Sequence, residues 1–165
     1  MSIANYENFR EAVRQDPARG RFTFKATTQW LGGTRAVTRA RDFSITTDEP
    51  EALGGTDSAP DPVELFLASA TTCLQIGIVT QAALRKIELK ELIIEAEGDL
   101  DVRGYLGDDQ VAPGYNQVKL KVHIEGNASQ AELRELVEVA QRHSPMLDSV
   151  RRSVPIEAEV AVQGS

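Results

Sequence analysis

Hydrophobic and polar positions follow two different periods in the first third of the chain. Between residues 5 and 15 apolar side chains recur every three to four positions, which is the spacing of an amphipathic helix. From residue 21 they alternate with a period of two, and Gly32–Gly33 then predicts the turn of a hairpin whose second strand reaches Arg39. A third strand is predicted over residues 42–47. This part of the chain is therefore predicted to form a short helix followed by three antiparallel strands.

The clearest helix start lies at Asp61, where an N-cap residue is followed by Pro62 and then by Glu64 in the capping-box position. The predicted helix runs to about Lys86, and the 20 residues from Leu65 to Leu84 carry no charge. Polar side chains within this run favour burial in protein over a membrane span. A helix that is apolar around most of its circumference must be covered on nearly every side, so we expect a second copy of the chain to pack against it.

Alternating patterns return in the second half of the chain. Residues 92–97 and 118–125 each place apolar side chains on one face, which predicts two half-buried antiparallel strands. Between them, a loop over residues 101–116 is either a binding loop or a surface excursion. A second capping box predicts a helix from Ser129 to Arg142, and residues 156–160 predict a last strand. The order α-β-β-β-α-β-β-α-β predicts an α+β fold in a single domain.

Length and composition narrow the function classes. The 165 residues suit one domain, and the net charge of −7 argues against nucleic acid or an anionic membrane as a partner. Residues 1–41 carry 8 basic and 3 acidic side chains, whereas the acidic excess lies beyond them. A single Cys excludes an internal disulfide and every multi-Cys metal site, and it fits a reducing compartment. The first ten residues lack the pattern of a secretory signal, so we expect a cytoplasmic protein.

The single cysteine, Cys73, lies in the middle of the long predicted helix. A free Cys is most often a small buried side chain, and a reactive thiol needs a nearby cation to favour its thiolate. The basic hairpin offers Arg35 and Arg39 for that role, although a solvated strand arginine explains each of them as well. Glu64 lies nine residues before Cys73, which is about 13.5 Å along a helix and on its opposite face. Glu64 therefore either only caps its helix or acts on Cys73 of a partner chain.

The segment from Leu53 to Cys73 resembles the OsmC/Ohr family, the osmotically inducible and organic hydroperoxide resistance proteins. The family pattern is a Pro-x-Glu-Leu helix start followed, nine residues after the Glu, by the peroxidatic Cys. Four residues of this chain match it: Pro62, Glu64, Leu65 and Cys73. The resemblance extends from about residue 21 to residue 160. It leaves residues 1–18 as an N-terminal helical extension of a single OsmC-like domain, 1–165.

The resemblance implies an OsmC-like fold, with antiparallel sheets around a long buried central helix, in an intertwined homodimer whose active sites lie at the subunit interface. In the family's peroxidases the helix Cys attacks the peroxide oxygen, and a hairpin Arg held by the helix-start Glu stabilises the thiolate. By position these roles fall to Cys73, Arg35 and Glu64, with Arg39 as the alternative to Arg35. The implied reaction is the reduction of small organic hydroperoxides, with no cofactor and no metal.

One position departs from the family's two-cysteine members, which carry a second Cys immediately before a Pro. Here Ser144 precedes Pro145, so no internal disulfide can form and an external thiol reductant must restore an oxidised Cys73. Two other hypotheses stay open. One is a non-catalytic member of the fold that binds a small apolar ligand at the dimer interface, with Cys73 only packed. The other is a hydrolase with Cys73 or Ser144 as its nucleophile and His143 as its base, although no nucleophile-elbow pattern surrounds either nucleophile.

Overall fold

The computed structural model describes residues 2–164, which form helices, a three-stranded sheet and a separate two-stranded sheet. The helices are α1 (Ile3–Gln15), α2 (Pro62–Leu84), α3 (Val102–Tyr105), α4 (Gln130–Arg142) and α5 (Pro145–Arg151). The strands are β1 (Thr27–Gly32), β2 (Arg35–Ala40), β3 (Phe43–Thr47), β4 (Leu89–Leu100) and β5 (Tyr115–Gly126). Short 3-10 helices follow α1 and β3, at Pro17–Gly20 and Glu51–Leu53. Helices combined with antiparallel sheets confirm the predicted α+β class.

Helix α2 begins with the predicted capping box. The Asp61 carboxylate accepts a hydrogen bond from Val63 N at 2.8 Å, and the Glu64 carboxylate accepts one from Asp61 N at 2.9 Å. Pro62 occupies the first helical position, where its missing N–H costs nothing. These local interactions fix the start of α2 and the direction in which the chain enters it.

The buried core lies between α2, α4 and the sheet of β4 and β5. Leu74 and Ile78 on α2 and Leu136 on α4 are fully buried. Full burial of such a side chain stabilises the folded chain by about 1.5–3 kcal/mol. Gly77 lets the two helices approach closely, because a Cβ added there would lie only 3.1 Å from Ala140 Cβ. The close approach of α4 to α2 positions everything that follows α4 in the chain.

Strands β4 and β5 show the alternation that the sequence predicts. Their register pairs Leu92 with Ile124 and Ile94 with Val122, and these side chains pack against the core between the helices. The opposite face carries exposed polar pairs between the strands: the ion pairs Lys121–Glu95 and Lys90–Glu125, and a contact between His123 and Glu91. Exposed pairs of this kind contribute little to stability. The sheet is therefore held by its apolar face and its backbone hydrogen bonds.

One face of α2 remains uncovered in the single chain. We call this face the open stripe; it consists of Ala68, Ser69, Thr72, Gln75 and Ile76. Ile76 is 62% exposed although it lies in the middle of the helix. The three-stranded sheet likewise leaves Trp30 and Phe43 exposed. Large apolar side chains exposed over several elements are typical of a surface that is covered in an assembly.

Two segments with a strand pattern lie outside the sheets of the described chain. Residues 155–164 hold no secondary structure, so the predicted last strand over residues 156–160 is wrong for the single chain. Strand β1 begins at Thr27, and the alternating residues from 21 onward precede it without joining the sheet. The alternation is present in both segments, but no neighbouring strand supplies the hydrogen bonds that a strand requires.

Two further helices are absent from the sequence prediction. Helix α3 lies within the loop over residues 101–116, and α5 follows α4 where only a helix end is predicted. The signals for α5 are local and short, because Ser144 caps the helix and Pro145 occupies its first position. A helix of 7 residues is too short to establish a hydrophobic period.

A buried carboxylate fixes the hairpin of β1 and β2 to the loop before α2. Asp48 is 1% exposed and accepts hydroxyl hydrogen bonds from Thr34 at 2.6 Å, Thr56 at 2.6 Å and Ser58 at 2.8 Å. The backbone amides of Thr56 and Ser58 donate two more. These donors, Thr34 first, hold the pKa of Asp48 well below its usual range. The turn that precedes Arg35 is therefore tied to the chain that leads into α2.

Replacing Asp48 by Asn should lower the melting temperature at pH 7 by roughly 5 °C or more and should flatten the loss of stability in acid. The folded-state pKa of Asp48 lies below the unfolded value of about 3.9. Its carboxylate therefore contributes stability that is present above that value and is lost as the pH falls towards the folded-state pKa.

Urea unfolding followed by circular dichroism, from neutral pH down to about pH 3, measures this loss. The free energy of unfolding should decline more steeply for the wild type than for Asp48→Asn. Asp109→Asn, which changes an exposed carboxylate, is the control and should follow the wild type. Parallel declines for the wild type and Asp48→Asn would contradict this role for Asp48.

Candidate active site

Cys73 lies half-buried on α2 beside a cavity of about 290 Å³. The cavity forms where α1, α2 and the junction of α4 with α5 meet, and its walls include Tyr6, Ile76, Ala140, His143 and Pro145. A half-buried thiol at a cavity is accessible to a small molecule, unlike a thiol enclosed in an apolar core. The position of Cys73 is therefore compatible with chemistry at its sulfur.

Ser144 makes a direct polar contact with the thiol. It is 3% exposed, and its hydroxyl donates a hydrogen bond to Cys73 Sγ over an Oγ–Sγ distance of 3.2 Å. The contact joins residues 71 positions apart in the sequence. It forms because α4 packs along α2 at Gly77 and because Ser144, as the N-cap of α5, follows the end of α4. The fold thus places a buried hydroxyl within hydrogen-bond distance of the sulfur.

The other predicted site residues lie elsewhere. Arg35 and Arg39 are exposed on β2, and neither guanidinium forms a hydrogen bond or ion pair with residues 2–164. Glu64 caps α2 and lines a separate cavity of about 230 Å³. Within one chain, the structure joins Cys73 to Ser144 and does not join it to Arg35 or Glu64.

Helix geometry explains the separation of Glu64 from Cys73. Nine residues correspond to about 13.5 Å of rise and about two and a half turns, which places the two side chains on opposite faces. The capping interaction of Glu64 is confirmed by its hydrogen bond with Asp61 N. Its action on a partner's Cys73, like the role of Arg35 at the thiolate, stays a prediction that requires a second chain.

A larger cavity of about 700 Å³ forms between the first turns of α2, the β4–β5 sheet and α5. Its walls are mostly apolar and include Val63, Phe66, Leu147 and Val150. The Tyr115 hydroxyl donates to Val63 O at 3.0 Å, and its ring centroid lies 5.7 Å from that of Phe66. Burial, followed by the charges of Asp61 and Glu64, raises the pKa of Tyr115. Helix α5 lines this cavity through Leu147 and Val150, while Ser144 and Pro145 at its start line the cavity beside Cys73.

The predicted loop over residues 101–116 lines a further cavity, which lies beside the start of α2. Tyr105 and Pro113 from this loop line a cavity of about 250 Å³ together with Glu49 and Asp61. Burial, followed by the neighbouring Asp61 carboxylate, raises the pKa of Glu49. The loop therefore lines a cavity, and its role as a binding loop stays a prediction.

The sequence model of the OsmC-like protein family matches residues 55–159, nearly two thirds of the chain. The chain belongs to the OsmC-like family. The matched segment contains Cys73 and Ser144, and it excludes α1 and the hairpin that carries Arg35. No curated protein matches the sequence. Membership of the family confirms the resemblance seen in the sequence.

Solved structures share the fold at low sequence identity. An OsmC-like protein from Mycoplasma pneumoniae superposes with a TM-score of 0.68 at 15% identity, over 79% of this chain and 88% of that one. An organic hydroperoxide resistance protein from Legionella pneumophila gives 0.55 at 24% identity, over 79% and 90%. One from Elizabethkingia anophelis, with thiocyanate bound, gives 0.58 at 20% identity, over 79% and 89%. These likenesses confirm the predicted OsmC-like fold.

Sequence analysis identifies Ser144 as the residue that replaces a second Cys and as a candidate nucleophile of the hydrolase hypothesis, but it does not predict a hydrogen bond between Ser144 and Cys73. The Ser-Pro pair after α4 is a signal for the N-cap of a new helix. No local pattern shows that this cap meets the middle of α2, because the contact depends on how α4 packs. The same holds for Tyr6, which the fold brings from α1 to the wall of the Cys73 cavity.

Replacing Ser144 by Cys should create a disulfide with Cys73. The Oγ–Sγ distance of 3.2 Å places the new sulfur within a small side-chain adjustment of bonding distance. Oxidation of Ser144→Cys with diamide should therefore remove two hydrogens from each chain and both of its thiols. Intact-mass spectrometry and thiol titration measure the two changes.

The matched control is Ser129→Cys, which introduces a thiol at the N-cap of α4. That cap lies about 20 Å along α4 from the end that contacts Cys73. The control should form no disulfide within the chain under the same treatment. Two free thiols in oxidised Ser144→Cys would contradict the contact between Ser144 and Cys73.

Proposed function

We propose that the protein is a thiol-dependent peroxidase that reduces small organic hydroperoxides at Cys73 with an external thiol as reductant. The observation that carries this proposal is the half-buried Cys73 thiol at a cavity, hydrogen-bonded by the buried Ser144 hydroxyl. Membership of the OsmC-like family supports it, because related solved structures include organic hydroperoxide resistance proteins.

In the proposed first step the Cys73 thiolate attacks the terminal oxygen of the hydroperoxide. An S–O bond forms and the O–O bond breaks, so the sulfur loses two electrons and becomes a sulfenic acid. The alkoxide that leaves takes up a proton and becomes the alcohol. The apolar walls of the cavity at Ile76 and Ala140 suit the organic group of the substrate.

Ser144 stands where a second thiol would be needed for an internal disulfide. The oxidised Cys73 must therefore be reduced by external thiols. A first external thiol attacks the sulfenic acid, releases water and forms a mixed disulfide with Cys73. A second external thiol attacks that disulfide, which returns the Cys73 thiol and releases the oxidised reductant. Each cycle therefore consumes one hydroperoxide and two external thiols.

The proposed working form is an intertwined homodimer. The small side chains of the open stripe, Ala68 and Ser69 among them, allow a second helix to approach closely, and such packing buries Ile76. The basic N-terminal segment that holds Arg35 complements the acidic groups near the start of a partner's α2. In this arrangement Arg35, or alternatively Arg39, and Glu64 of one chain act on Cys73 of the other.

The proposed location is the cytoplasm, with no membrane or nucleic acid as a partner. Within residues 2–164, α2 is the one helix long and apolar enough to cross a membrane. A core helix passes the same test, and the polar Ser69, Thr72 and Gln75 of the open stripe suit a protein neighbour better than hydrocarbon. The net charge of −7 opposes binding to phosphate backbones.

A second candidate function is non-catalytic binding of a small apolar ligand at the dimer interface, with Cys73 only packed. The cavity of about 700 Å³ that the single chain forms beside Phe66 and Leu147 favours binding of such a ligand through its volume and apolar walls, and a position at the dimer interface stays part of the hypothesis. Ligand binding of this kind would be unaffected by Cys73→Ser.

Steady-state reduction of cumene hydroperoxide by dithiothreitol tests the peroxidase proposal. The wild type should consume the peroxide, and the rate should fall to the uncatalysed background in Cys73→Ser, because the chain has no other thiol. Residual peroxide is measured with a ferrous-oxidation dye assay. Catalysis that survives in Cys73→Ser, or a wild type at background, would contradict the proposal.

The same assay distinguishes the candidate cations. Arg35→Ala should lower kcat/KM about tenfold or more, because a hydrogen bond between charged groups contributes about 1.5–3 kcal/mol. Arg41→Ala, which removes an exposed guanidinium stacked on Phe43, is the matched control and should keep the wild-type rate. Mixing Cys73→Ser with Arg35→Ala chains should restore part of the activity. A loss in Arg39→Ala alone would assign the role to Arg39.

A further inference from the structure

We infer that Ser144 is a catalytic residue, whose buried hydroxyl donates the hydrogen bond that stabilises the Cys73 thiolate. The inference rests on the proposed function, in which Cys73 reacts as a thiolate. The Oγ–Sγ distance of 3.2 Å is a hydrogen-bond distance for sulfur, and the burial of Ser144 keeps water from competing for the hydroxyl.

The hydroxyl must donate this hydrogen bond when Cys73 is a thiolate, because the ionised sulfur has no proton of its own to donate. Leu147 N lies 3.4 Å from Ser144 Oγ and can only donate, so the oxygen accepts there as the N-cap of α5. The hydroxyl proton is then available to Cys73 Sγ. A thiolate accepts a hydrogen bond more strongly than a neutral thiol does, so the contact favours the ionised sulfur.

The surroundings of Cys73 make this donor important. The sulfur lies several turns from the start of α2, beyond the reach of the helix dipole. Within residues 2–164, neither Arg35 nor Arg39 contacts it. The other titratable side chains on its cavity are Tyr6 from α1 and His143 at the end of α4. Ser144 thus supplies a hydrogen bond to the sulfur from within the same chain.

The rate of Cys73 alkylation by iodoacetamide as a function of pH tests the inference, because its midpoint gives the pKa of the thiol. Ser144→Ala should raise that pKa by about one unit or more, the shift expected when a hydrogen bond to a charged group is lost. Ser144→Gly, which disturbs a helix cap least, should raise it as far. Ser144→Thr keeps a hydroxyl and should stay near the wild type.

Ser129→Ala is the matched control, because it removes the capping hydroxyl of α4 far from Cys73. Its alkylation midpoint should equal that of the wild type although its melting temperature falls. His143→Gln identifies any second inflection that belongs to His143. Unchanged midpoints in Ser144→Ala and Ser144→Gly would overturn the inference, and so would an equal shift in Ser129→Ala.

Peroxide turnover separates this inference from the proposed function. If the wild type reduces cumene hydroperoxide while Ser144→Gly keeps the wild-type midpoint, the peroxidase proposal stands and the role of Ser144 is overturned. If Ser144→Gly shifts the midpoint but the wild type consumes no peroxide, the hydrogen bond stands and its catalytic role is overturned together with the proposed function.

Discussion

Burial of α2 is the constraint on which the rest of the structure depends. The helix has 23 residues and is apolar on most of its sides, yet the single chain leaves the open stripe uncovered. Ile76 is 62% exposed and therefore forgoes a large part of the stabilisation of about 1.5–3 kcal/mol that full burial contributes. A second chain that packs on the open stripe recovers this free energy. In the proposed dimer, the second chain therefore both covers the exposed face of α2 and supplies the missing residues of the active site.

The same helix packing determines the environment of the thiol. Gly77 allows α4 to pack closely against α2, and Ser144, which follows the end of α4, then lies within hydrogen-bond distance of Cys73. A hydroxyl there cannot form a disulfide, but it can donate a hydrogen bond to the thiolate. The thiol thus depends on a contact within its own chain and, in the proposal, on Arg35 of a second chain. Mutation can vary these two contributions separately.

Local signals in the sequence predict the elements that local interactions build. The capping boxes at Asp61 and Ser129 mark the starts of α2 and α4, and alternation marks β4 and β5. Residues 156–160 have the pattern of a strand but lack a neighbouring strand in the single chain, so pattern alone misleads there. Ser144 and Cys73 are 71 positions apart in the sequence and meet because α4 packs against α2. The hydrophobic periodicity of the sequence does not predict that packing. The sequence therefore identifies Cys73 as the candidate nucleophile, but it does not predict the hydroxyl that forms a hydrogen bond with its sulfur.

The most direct test is whether one equivalent of an organic hydroperoxide oxidises Cys73 itself. Intact-mass spectrometry in the presence of dimedone, which traps sulfenic acid, measures this in a single turnover without any reductant. We predict one dimedone adduct per chain in the wild type and none in Cys73→Ser. A wild type that remains unmodified would contradict the peroxidase and would leave Cys73 as a packed residue of a binding protein.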